Sequence, residues 1–294
     1  MFLENFKSMK NFGTERKSSI KKYLVKILAC FILDINKRHE FRSKYLSSVP
    51  IMDNSIQNLT KLRNNLLLKY IDLKQTKGLE FGPLHAPQVN NIKYNIKYAD
   101  IQNREGIINY YKNDPNVIIE KIPDIDFVVS ASSPSESIVE KFDYIIANHV
   151  IEHSPNPILY IQELSRLLNK NGILFMAIPD KKNTFDKNRP ITTFDHLIDD
   201  YLSGADNSDI THVFEYNRFV VYENQPLNEV YKKTLLDLKK NKKFSHIHYH
   251  VFSINEFRSI LNKILELKFF DMSLEYLDAP YDNVYEFYLI MRKN

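Results

Sequence analysis

A chain of 294 residues is long enough to bury one substantial core, with additions. Its 40 Lys and Arg against 36 Asp and Glu leave a formal charge of +4, too mild for a nucleic-acid footprint, which clusters its charge and raises the pI further. Cys30 is the only cysteine, which excludes an internal disulfide and a cysteine-based zinc site and fits a reducing cytoplasm; no run of about eighteen apolar residues supplies a spanning helix.

Residues 1–76 read as a helical extension. From Glu15 to Ile35, the residues Ile20, Leu24, Ile27, Leu28, Phe31 and Ile35 recur at three- and four-residue steps and make one apolar face. That face is expected to pack on the main domain, to join a second subunit in a homodimer, or to lie on a membrane surface. No small-residue cleavage pattern follows it, so it does not read as a signal peptide. A second helix, about Asn54 to Lys74, carries Ile56, Leu59, Leu62, Leu66, Leu67 and Tyr70 and should cover one edge or face of a sheet.

The main domain is expected over 77–294. Leu79 and Phe81 flank Glu80 in strand alternation, and Gly82-Pro83 breaks it, so the backbone turns sharply at the strand's carboxyl end. Open α/β sheets hold nucleotide-like ligands at such turns. Asp100 closes the apolar run Ile96 to Ala99, about twenty residues beyond Glu80, the offset at which a second-strand carboxylate reaches ribose hydroxyls. The pair predicts an adenosine-type cofactor. Helices follow over Arg104 to Lys112 and Asn156 to Leu168, the latter stopped by Lys170-Asn171-Gly172; strands fall at Ile125 to Val129, Phe142 to Ala147 and Ile173 to Ile178. Alternation of this kind predicts an α/β fold with a parallel sheet and helices on both faces.

Between Pro179 and His250 the pattern degrades over more residues than a loop needs, and 181–250 reads as a cap with helices near Thr193 to Leu202 and Asn228 to Lys240. Ser253 with Glu256 has capping-box spacing for a further helix. Lys268 to Leu277 and Asn283 to Arg292 complete the chain as two strands joined through Asp278 to Asp282.

Phe142-Asp143-Tyr144-Ile145-Ile146-Ala147-Asn148-His149-Val150-Ile151-Glu152-His153, followed by Pro155 and Pro157, resembles the S-adenosylmethionine-dependent class I methyltransferases. Leu79-Glu80-Phe81-Gly82-Pro83 is similar to their first motif, Asp100 to their ribose carboxylate, and the last two strands to their closing antiparallel pair. The resemblance covers Lys77 to Asp180 and, by topology, Ser253 to Asn294. It implies a Rossmann-like, mostly parallel seven-stranded sheet with S-adenosyl-L-methionine as cofactor. There are two departures. Leu84-His85 stands where the first motif is usually glycine, so cofactor contact is expected through backbone at Gly82 and Pro83. Ser130-Ala131 follows Val129 where the family often places an acid near the adenine amine.

On this resemblance Glu80 lies near the cofactor's methionine amine, or else caps the turn that follows it. Phe81, Gly82, Pro83, Asp100, Ile101, Ser130, Asn148 and His149 line the rest of the cofactor site. His153 or His149 could take a proton from an acceptor hydroxyl. His153 could equally be a packed histidine that orients its loop through Glu152, and positioning alone can carry methyl transfer. Asp180, Asp186 and Arg189, with His212 and Glu215 in the cap, are candidate acceptor contacts, Arg189 suiting a phosphate or carboxylate; surface ion pairing is the alternative. His246, His248 and His250 alternate as in a strand with all three side chains on one face, a polar acceptor wall or a partly exposed strand. No metal is expected there, because no carboxylate stands at a matched spacing.

The Gly82-to-Pro87 and His149-to-His153 versions of the motifs resemble methyltransferases of bacterial polysaccharide pathways. They imply O-methylation of a sugar, a sugar nucleotide or a capsule or lipopolysaccharide precursor. Two alternatives stay open: a nicotinamide-dependent dehydrogenase or epimerase, which the missing three-glycine fingerprint disfavours, and a non-catalytic methyltransferase-like subunit.

Overall fold

The computed structural model describes residues 53–240, 247–280 and 285–294. The helix expected over Glu15 to Ile35, with its docking, dimer and membrane readings, lies outside the described residues, as does His246. Parallel strands β1 (Gly78–Phe81), β2 (Ile96–Asp100), β3 (Phe127–Val128), β4 (Phe142–Ala147) and β5 (Leu168–Pro179) are joined by β6 (Met272–Asp278) and β7 (Glu286–Lys293). The seven form one sheet in the order β3-β2-β1-β4-β5-β7-β6, with β7 antiparallel to both β5 and β6. This is the parallel sheet that the alternation predicts, with the closing antiparallel pair that the resemblance implies.

Tyr144 to Ala147 of β4 and Ile173 to Ile178 of β5 are apolar without a break, as a sheet covered on both faces requires. Ile145, Leu174, Met176 and Leu289 enter one core with helices α3 (Pro157–Leu167) and α7 (Ile254–Glu266), while Tyr144, Ile146, Phe175 and Tyr288 enter the other. Helix α1 (Asp53–Leu67) delivers Leu66 and Leu67 to that second core. It ends seven residues before the expected Lys74, because Lys69 and Tyr70 tighten onto Leu66 and Leu67 carbonyls and the Asp72 carboxylate then accepts Lys74 N in an Asx turn. Asp53–Lys112 and Val117–Asn294 make one compact unit.

No helix joins β1 to β2. Residues 82–95 run as turns, since Gly82, Pro83, Pro87 and three asparagines break helical continuity. Side chains pin the segment instead: Tyr98 Oη donates to Val89 O at 2.7 Å and accepts Asn91 N at 3.1 Å. After β2, Asn103 caps helix α2 (Arg104–Tyr111) by accepting Gly106 N; Asn156 caps α3 with Pro157 in its first turn. The cap contains α4 (Phe194–Ser203) and α6 (Leu227–Lys240), both near their predicted spans, and α5 (Ile210–Tyr216), which the sequence reading did not mark. Ser253 leads α7 with its hydroxyl on the Glu256 carboxylate rather than on a backbone amide.

Candidate active site

The strand order reverses between β1 and β4, and the loops at their carboxyl ends build the site. Gly82 turns out of β1 at φ +63°, a conformation that favours glycine, with its amide on Ala99 O of β2 at 2.9 Å. Glu80 is 3% exposed, and its two oxygens accept Gln88 N at 2.7 Å and Val89 N at 3.3 Å. It therefore holds the 82–89 loop from beneath, as the capping reading expects. Burial outweighs those two bonds and raises its pKa to about 7. Asn148 locks the loop to the sheet: Nδ2 donates to Gln88 Oε1 at 2.8 Å and Oδ1 accepts Ala177 N at 3.0 Å. Pro83 is buried beside the exposed Gly82, and Asp100 and Ile101 end β2 half-buried. Ser130, past β3, is exposed with its hydroxyl on Ser132.

Beyond β4, His149 is held at φ +54°, a strained backbone for a residue with a Cβ. Its Nε2 lies 2.7 Å from Glu286 Oε2 at the start of β7, and its Nδ1 lies 3.6 Å from Glu152 Oε1. Burial opposes its charge, but the bonds and fields of Glu152 and Glu286 prevail and raise its pKa to about 9. A pKa raised this far favours the imidazolium form at neutral pH. Arg63 of α1 meets the same Glu286 with two donors, Nε at 3.0 Å. Despite its burial, Glu286 is pushed down to about 2 by these two cations.

His153 is set oppositely. Its Nδ1 donates to Ile247 O at 2.8 Å, which leaves Nε2 as the basic nitrogen, 4.0 Å from Glu152 Oε1. Burial and the neighbouring His248 lower its pKa, so it stays neutral. Glu152 is 1% exposed, and in spite of that burial its pKa is lowered, foremost by His149. The arrangement pairs a fixed cation with a neutral base across one carboxylate. Arg63, Glu286 and the buried Tyr160, whose hydroxyl has no hydrogen-bond partner, were not among the predicted site residues. Glu286 carries a readable signal: an acid opening an apolar strand must find a partner.

The family described as a methyltransferase domain matches residues 59–264. This chain belongs to that methyltransferase family. Among solved structures it is similar to the plantazolicin methyltransferase BpumL in complex with a monoazolic desmethylPZN analog and SAH, at 13% identity over 96% of this chain and 100% of that one, TM-score 0.44. It is also similar to an S-adenosylmethionine-dependent methyltransferase from Clostridium acetobutylicum ATCC 824, at 9% identity over 88% and 98%, TM-score 0.47. A third likeness is magnesium protoporphyrin IX methyltransferase (ChlM) from Synechocystis PCC 6803 with bound SAM, at 9% identity over 93% and 97%, TM-score 0.41. No curated protein matches the chain.

In this methyltransferase most of the predicted acceptor contacts are committed to other partners. Arg189 is 1% exposed, and all five of its N–H donors are used: on Asp186 Oδ1, Glu215 Oε1 twice, His248 O and Tyr249 O. No donor remains for a phosphate, and the pairing is buried rather than superficial. Asp186, 2% exposed, also meets His248 Nδ1 at 2.6 Å, and His248 and Arg189 together hold its pKa down against its burial. Asp180 caps the turn after β5 by accepting Lys182 N at 2.9 Å. His212 is buried among His196, Asp200 and His250, away from the His153–His248 pair. The shared face expected of the alternating histidines is also corrected. Residues 247–252 pair with the sheet only through the single bridge at Phe252, so no ladder imposes alternation; His248 turns to Asp186 and His153, and His250 to Asp200. His248 remains the predicted acceptor residue beside His153, with their ring centroids 4.7 Å apart.

Proposed function

We propose that this methyltransferase uses S-adenosyl-L-methionine to methylate a hydroxyl oxygen of a small polar acceptor, a sugar, sugar nucleotide or capsule or lipopolysaccharide precursor, in the cytoplasm. The residues at the sheet edge suit the cofactor. Burial raises the Asp100 carboxyl to about 6 with no cation offsetting it; backbone bonds from Gln102 N, a long one at 3.3 Å to Oδ1, and from Ile101 oppose the rise without cancelling it. Such a carboxyl is open to ribose hydroxyl donors. Gly82 leaves its backbone bare beside it, and the unpartnered Tyr160 hydroxyl lies in the fields of Glu152 and Asp100. With no helix after β1, no helix N-terminus stands over the first turn, so binding falls to loop backbone and side chains.

One observation carries the reaction: His153, neutral and with Nε2 free, stands beside the ionised Glu152. When bound, the cofactor supplies an electrophilic methyl group on a sulfonium. His153 Nε2 takes the acceptor's hydroxyl proton, and Glu152 steadies the imidazolium that results. His149, held by Glu286, which Arg63 grips in turn, keeps Glu152 ionised and in place. The glycan part of the reading rests on the motif resemblance and on the polar wall of His153, His248 and Asp186; the single cysteine suits a reducing compartment.

Calorimetry with S-adenosylhomocysteine is the test. Micromolar binding to the chain is expected, weakened about tenfold in Asp100→Asn, the scale of one lost charge-assisted hydrogen bond. The folded value of the Asp100 pKa lies above its unfolded one, so its charge costs stability as pH rises toward about 6. Asp100→Asn should therefore keep its melting temperature at pH 7. Folded protein that binds no S-adenosylhomocysteine would overturn the proposal.

A further inference from the structure

We propose that His196, Asp200, His212 and His250 form a site for a divalent transition metal of the zinc class, independent of the methyl-transfer reading. His196 and Asp200 stand four residues apart on α4 and so share one face; His212 comes from α5, and His250 from the segment before α7. Their donor atoms converge. Asp200 Oδ2 lies 3.4 Å from His196 Nε2, 3.5 Å from His212 Nε2 and 3.5 Å from His250 Nε2, and the first two imidazole nitrogens are 3.1 Å apart. One ligand atom from each residue falls within 4.8 Å of all the others.

The three separations from Asp200 Oδ2 are long for hydrogen bonds, which run to about 3.2 Å between nitrogen and oxygen. They match the edge of a tetrahedron around zinc, about 3.3 Å for metal–ligand bonds near 2.05 Å. Asp200 Oδ2 is buried and has no hydrogen-bond partner, an expensive state for a carboxylate oxygen unless a cation sits against it. Three imidazoles with one carboxylate suit zinc, cobalt or nickel rather than magnesium or calcium. The nearest competing group is Pro155 O, 3.3 Å from His250 Nε2. Asp209 Oδ1 lies 3.6 Å from His212 Nδ1, the place of the outer carboxylate that directs a ligating histidine's other nitrogen toward the metal.

All four ligands are protein side chains, the mark of a closed structural site. Asn156, which caps α3 after β4, donates Nδ2 to Asp200 O at 3.0 Å, so a metal here would fasten two cap helices to the loop that carries His153. The loss of one ligand should thus loosen the cap as well as the metal.

The full-length untagged chain, stripped with chelator and reloaded with zinc, should retain about one zinc per chain by mass spectrometry of the elements, and cobalt in its place should give the intense visible bands of tetrahedral coordination. Zinc should raise the melting temperature, and chelator should reverse the rise. His196 is the most exposed ligand, so His196→Ala is expected to fold; it should lose zinc affinity by more than the roughly 10- to 100-fold that removal of an outer-shell partner costs. Folded protein that retains no zinc after loading would overturn the site, as would pale octahedral cobalt spectra or zinc retention in His196→Ala and Asp200→Asn equal to that of the unsubstituted chain.

Discussion

His149 and His153 stand four residues apart on one loop, yet their surroundings drive them to opposite protonation states. The two carboxylates at His149 raise it to about 9, while burial and His248 keep His153 below its usual value. Only His153 can take a proton at pH 7. Replacing it, His153→Gln, is expected to lower kcat by roughly 10²- to 10⁴-fold with S-adenosylhomocysteine affinity kept. The kcat/KM profile should have an acid limb below pH 6.5 that vanishes in this variant, and an alkaline limb near 9 set by His149. An unchanged kcat in His153→Gln would return the chemistry to positioning alone. Arg189 is the converse case, a residue whose type suggests a phosphate contact and whose setting makes it structural. Arg189→Ala would leave Asp186 with His248 alone and Glu215 without its guanidinium, and should cost roughly 3–5 kcal/mol of stability, read as a large fall in melting temperature. A raised acceptor KM with unchanged melting would instead restore it as an acceptor contact.

At the scale of elements, the segment from β1 to β2 and helix α1 depart most from what periodicity suggests. A crossover between adjacent parallel strands usually carries a helix, but Gly82, Pro83 and Pro87 prevent one, and Glu80, Tyr98 and Asn148 secure the turns by side-chain bonds. Helix α1 covers the Tyr98 and Tyr144 face of the sheet with Leu66 and Leu67 and extends Arg63 to Glu286. A chain starting at Lys77, the boundary that composition suggests, loses both the cover and the cation. It is expected to show no cooperative thermal unfolding and to expose apolar surface to dye. Cooperative melting of that truncated chain would show that α1 is dispensable.

For the whole molecule, the shifted groups define a pH window of stability. His149 has a folded pKa of about 9 above its unfolded value, so its contribution is complete below about 6.5 and is lost as pH rises through 9. Glu286, folded at about 2, contributes above about 4.5 and loses that contribution as pH falls through 2. Glu80 acts in the opposite sense, costing stability as pH climbs from about 4.5 to its folded value of about 7. Urea unfolding from pH 4 to 10 should therefore show a decline between about 6.5 and 9 that His149→Gln flattens; an identical slope in that variant would discard the His149 assignment. By itself the sequence determined the strand-and-helix order, the reversal point at Gly82 and Asp100, and the motif at Asn148 to His153, because hydrophobic period and turn residues are local properties of the chain. Only the tertiary structure decided which charges meet. Arg63 with Glu286, Arg189 with Glu215, and Asp200 with His250 are joined across 223, 26 and 50 residues, and the carboxylate missing from the histidine alternation arrived from another helix. A side chain's partners are set by how elements pack, and burial then sets its proton affinity, so neither can be read from spacing along the chain.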